Sequence, residues 1–137
     1  MKIGKRHIWT LILCCYFAAV LLLLTARPEH MPEFQWLLWG IPADKIGHFL
    51  IFIPYPVIAY TAFRPADGGK LRRLMVLVAV LATGIALAMG TERLQGLIEY
   101  RSYEVEDFYA DVLGMEVSGI IAALYIICKK EKKQNNR

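Results

Sequence analysis

Four apolar runs of membrane-spanning length fill most of this 137-residue chain and leave little sequence for anything else. A helix needs roughly 20 apolar residues, at about 1.5 Å rise each, to cross the hydrocarbon core. The runs near 8–26, 46–63, 71–91 and 109–128 approach or meet that length. In lipid the backbone must satisfy its own hydrogen bonds, so such runs form helices. The expected fold class is all-α: a polytopic membrane protein with four transmembrane helices and a single membrane domain over 1–137, its outer connections at 27–45 and 92–108.

Pro54 and Pro56 interrupt the second run. Neighbouring helices can satisfy the carbonyls that prolines strand, so a kinked or partly re-entrant span is expected there. Lys2, Lys5 and Arg6 precede the first run, as they would in a secretory leader. The run is too long for a leader's apolar core, however, and Leu24-Thr25-Ala26 makes a poor cleavage site. An uncleaved helix is the expectation. Cys14, Cys15 and Cys128 fall within spans, where they read as small apolar filler and imply no disulfide framework.

Charge sets the orientation, because short cytoplasmic segments collect Lys and Arg. The N-terminus, the 64–73 connection and the tail from Lys129 together hold twelve of the sixteen basic residues, all on one side of a four-span chain. The other side carries four basic residues (Arg27, Lys45, Arg93 and Arg101) against nine acidic ones. Both termini are therefore expected in the cytoplasm, with the acidic connections outside. The basic tail reads as a topology anchor at the leaflet surface, with no nucleic acid as partner. Phe34-Gln35-Trp36-Leu37-Leu38-Trp39 reads as an interfacial anchor, with a lid over the outer face as the alternative. Arg64-Pro65-Ala66-Asp67-Gly68-Gly69 reads as a cytoplasmic hairpin turn.

Against this background the ionisable residues are bunched at the outer ends of three runs. Asp44, Lys45 and His48 open the second; Glu92 and Gln95 close the third; Arg101, Asp107 and Asp111 lead into the fourth. Charges in or next to hydrocarbon are costly and mark function more often than accident. Asp44 and His48, like Asp107 and Asp111, are one helical turn apart and share a face. Gly84, Ala88, Glu92 and Gln95 recur along one face of the third run, where small residues admit close helix packing, so Glu92 is expected to point inward.

Asp44, His48, Glu92, Gln95, Arg101, Asp107 and Asp111 are thus the candidate binding residues of one outward-facing pocket. His48, Glu92 and Asp107 are the candidates for catalysis. Crowded carboxylates titrate apart, so one of them can hold a proton near neutrality. His48 oriented by Asp44 could serve as general acid or base. Asp, Glu and His are also competent ligands for a divalent cation, although the spacing matches no contiguous metal motif. Arg101 could clamp a carboxylate of the pocket or a phosphate at the membrane surface. The bland alternative is that these groups only stitch helices together. Glu116 lies about 140° around its helix from Asp111 and roughly 7–8 Å deeper. It suggests either a neutral acid packed against another helix or a contact in a homo-oligomer.

At these positions the chain resembles the VanZ-like family of small bacterial membrane proteins. The matching residues are Asp44-Lys45-Ile46-Gly47-His48, Glu92-Arg93-Leu94-Gln95, Arg101 and Asp107 with five residues between them, and Gly114. The likeness runs from about residue 40 to 120 and departs at Asp111, where the family pattern has Asn. It implies a four-helix protein of the bacterial cytoplasmic membrane. The family's founding member is linked to low-level resistance to the glycopeptide teicoplanin. It supplies no reaction. The leading expectation is a cell-envelope protein that recognises a lipid-linked or cell-wall group among membrane lipids. A membrane enzyme acting on a polyprenyl-phosphate-type lipid and a proton- or cation-coupled carrier are the alternatives.

Overall fold

The computed structural model describes residues 4–25, 40–66, 69–99 and 103–129. They form five helices: α1 (Lys5–Thr25), α2 (Ala43–Phe52), α3 (Tyr55–Phe63), α4 (Lys70–Gln95) and α5 (Val105–Cys128). Helices α2 and α3 together make one span, giving four helical segments long and apolar enough to cross a membrane. The chain is an all-α polytopic membrane protein.

The break between α2 and α3 falls where the prolines dictate. Pro54 and Pro56 lack the N–H groups that would bond to the carbonyls of Leu50 and Phe52, so the helix ends at Phe52 and restarts at Tyr55. Ile53 and Pro54 keep right-handed helical dihedrals, so the span kinks instead of turning back. A neighbouring helix attends the break: Tyr16 Oη of α1 donates to the carbonyl of Ile51 at 2.7 Å. Just below, Tyr55 Oη donates to the Val80 carbonyl at 3.1 Å, tying α3 to α4.

Helix α5 packs along both α2 and α4, while α1 lies against α3. Glycines permit the closest approaches. A Cβ at Gly114 would overlap the backbone carbonyl of Phe49 on α2, and one at Gly84 would overlap Tyr55 and the Met115 sulfur. The stripe Gly84, Ala88, Glu92 and Gln95 is buried along its length. This packing brings the start of α2, the end of α4 and the start of α5 to one end of the bundle.

Two expectations change. The third and fourth helices are longer than their apolar runs, because helical bonding continues through the polar residues to Gln95 and begins already at Val105. Cys14, Cys15 and Cys128 are exposed on the helix surfaces, so they are not interior filler. The interfacial patch 34–39 and the tail beyond Lys129 lie outside the described residues.

Candidate functional site

Two connected layers of charge occupy the end where α2, α4 and α5 meet. The rim is built around Lys45. Its ammonium donates to Glu104 Oε2 and Asp107 Oδ1, both at 2.8 Å, and stands 3.7 Å from Asp44 Oδ2. Glu104 is the N-cap residue of α5, and Asp44, Glu106 and Asp107 lie in the first turns of α2 and α5. Carboxylates there meet the positive end of the helix dipole, which favours helices starting at these positions.

One turn further in lies a buried layer of His48, Glu92 and Asp111, each no more than 4% exposed. His48 Nδ1 stands 3.0 Å from Asp111 Oδ1. A carboxylate can only accept, so with Asp111 ionised Nδ1 carries the proton and donates it. That leaves Nε2 directed at Asp107 Oδ2, at 3.6 Å. Asp107 joins the layers, one oxygen on Lys45 and the other facing the imidazole. Glu92 Oε1 comes within 3.7 Å of His48 Nδ1. Among the described residues neither Glu92 oxygen meets a donor at full hydrogen-bond geometry, the backbone N–H of Glu104 reaching the carboxylate only weakly, and Asp111 Oδ2 also lacks a partner.

Of the residues singled out in the sequence, His48, Glu92, Asp107 and Asp111 therefore come together. Gln95 is buried almost one turn further along α4. Asp44 does not orient His48 as expected. Its side chain is 49% exposed at the rim beside Lys45, and Asp111, from a different helix, takes that role. Arg101, expected as the guanidinium of the pocket, lies outside the described residues. Glu116 is exposed on α5, away from the cluster.

Two contributors were not among the expected site residues. Lys45 is three residues before His48 and so shares its face. Glu104 stands in the same relation to Asp107, whose N–H donates to the Glu104 carbonyl at 3.2 Å. That three-residue step was the available signal. At the far end of the bundle, Arg64, Arg73 and Lys129 line a separate basic cleft with Tyr60 and Tyr125.

Fold and site together define a class: a polytopic helical membrane protein with a buried, ionisable interhelical cluster near one end of the bundle. No family model matches the chain. An uncharacterised protein of the fission yeast Schizosaccharomyces pombe is 27% identical over 89 residues, which are 65% of this chain and 52% of the relative. The chain thus spans about half the length of that relative. No solved structure matches.

Proposed function

We propose that the chain is a VanZ-like protein of the bacterial cytoplasmic membrane, with both termini cytoplasmic. Its charged rim and buried cluster recognise the head of a lipid-linked or cell-wall group at the outer surface. The observation that carries the reading is Glu92: a fully buried carboxylate among the described residues with no full-geometry hydrogen bond to either oxygen and only a weak approach from the Glu104 backbone N–H. A group present only to join helices would have both oxygens well bonded, since a poorly paired buried polar atom costs more than its contacts return. A carboxylate held unsatisfied inside a bundle is what a binding site requires before its ligand arrives. The orientation is supported by the basic residues gathered at the end away from the cluster, as the excess of Lys and Arg on cytoplasmic segments demands.

The test uses the two substitutions that change charge and hardly alter shape. Glu92→Gln and Asp107→Asn are expected to abolish the protein's effect on teicoplanin susceptibility in a bacterial host. Both variants should still accumulate in the membrane at the wild-type level, measured by quantitative immunoblot of membrane fractions. If both disappear from the membrane, the cluster is structural and the proposal fails. If both accumulate and keep full effect, it also fails.

A further inference from the structure

We propose that His48 Nε2, Glu92 and Asp107 form a binding site for one divalent transition-metal ion of the zinc or manganese class, with Asp111 positioning the imidazole. The inference rests on reading the cluster as a binding site and names what it holds first: the ion that makes an acidic pocket attractive to a phosphate-bearing head.

Two acidic groups a turn apart differ in what they already hold. Ligand atoms of Asp44, Glu104 and Asp107 lie within 4.8 Å of one another, and so do those of His48, Glu92 and Asp107. The outer group already contains its cation, since the Lys45 ammonium touches two of its carboxylates at 2.8 Å. The inner group has no such ammonium among the described residues. It is also the more deeply buried of the two, and no donor bonds either Glu92 oxygen there at full geometry, the Glu104 backbone N–H acting on it only weakly.

The geometry at His48 points the same way. With Nδ1–H committed to Asp111 at 3.0 Å, Nε2 presents a lone pair to Asp107 Oδ2 across 3.6 Å. Were Nε2 protonated instead, its N–H···O bond would draw the pair to about 2.7–3.2 Å; the 3.6 Å gap is longer and suits two ligands on one cation. Donors about 2.0–2.2 Å from a shared ion, at roughly tetrahedral to trigonal angles, lie about 3.4–3.6 Å apart. A histidine whose second nitrogen donates to a carboxylate is the usual supporting arrangement around a bound metal, because it fixes the tautomer and raises the basicity of the ligating nitrogen. Imidazole with two carboxylates suits zinc or manganese better than magnesium or calcium, which prefer oxygen alone.

The test is a titration of the tag-free full chain, stripped with chelator and held in nanodiscs. Zinc is added and followed by calorimetry, and cobalt by its visible absorption. The expected result is one equivalent per chain, with cobalt bands of a nitrogen- and oxygen-ligated ion. Glu92→Gln should eliminate saturable binding, and Asp111→Asn should weaken it about 10–100-fold. Glu116→Gln, exposed on α5 away from the cluster, should leave it unchanged. Folding of each variant is checked by circular dichroism and gel filtration.

Absence of saturable binding to the wild-type protein would overturn the inference. So would zinc binding that survives Glu92→Gln, or binding that Glu116→Gln removes. If the wild type binds no metal but Glu92→Gln still loses its effect on susceptibility, the metal fails and the recognition reading stands. If the metal binds as described while Glu92→Gln keeps that effect, the recognition reading fails and the metal site stands.

Discussion

Replacing Lys45 with methionine is expected to destabilise the folded protein by about 2–3 kcal/mol, read as a loss of unfolding free energy in detergent micelles. Methionine keeps the length and apolar stem of lysine and removes only the ammonium. Asp107, whose side chain is 10% exposed, then loses its only short cationic contact among the described residues. Removing one partner of a fully buried ion pair typically costs about 3–5 kcal/mol, because the other charge is left without compensation. The lower figure reflects Lys45 and Glu104, whose side chains remain 20% and 42% exposed, so that water screens part of the loss. Combining Lys45→Met with Asp107→Asn should recover part of the deficit, and this non-additivity is the signature of direct coupling. Additive losses would show that the rim lysine is held by something other than Asp107.

Gly114→Ala should cost a comparable amount, about 2–3 kcal/mol, near the upper end of what overpacking usually produces. A Cβ there would overlap the backbone carbonyl of Phe49, and backbone in a packed helix cannot yield as a side-chain tip can. Helices α2 and α5 would have to separate, pulling His48 away from Asp111 in the process. Gly47→Ala and Gly90→Ala are the controls, since a Cβ at either position meets nothing within 4 Å. Both should leave the unfolding transition unchanged or raise it slightly, alanine being the better helix former. Equal effects at all three positions would mean that close approach of α2 and α5 does not hold the site together.

The sequence reading of the spans succeeded because lipid imposes one strict condition, length of apolar run, and the helices of this chain meet it openly. It placed the proline break as well, since the loss of two amide donors is local chemistry. It shortened α4 and α5 because hydropathy falls at Glu92 and Asp107 while helical bonding does not. The polar cluster was legible as far as each helix face could be read alone. His48, Glu92, Asp107 and Asp111 all face the bundle, as their spacing required.

Partnership between helices was not legible. Asp44 is one turn from His48 on the same helix, yet Asp111 bonds the imidazole across the α2–α5 contact. Which of two carboxylates reaches a ring depends on helix depth and rotation, and those are set by packing at Gly114 and Gly84, not by spacing within α2. In the sequence Lys45 is one charge among several at the head of a run. Only the neighbouring positions of Glu104 and Asp107 at the start of α5 reveal it as the counter-charge of the rim.

The central claim is that Glu92 is kept for a ligand at the expense of the fold. The direct measurement is the thermal unfolding midpoint of Glu92→Gln against wild type, both chelator-treated and in the same nanodiscs. Glutamine replaces a buried, poorly bonded carboxylate with a neutral group of the same shape that can donate to the neighbouring carboxylates. The account predicts a midpoint equal to or above that of the wild type. A midpoint several degrees below it would show Glu92 stitching the helices together, and would contradict the account.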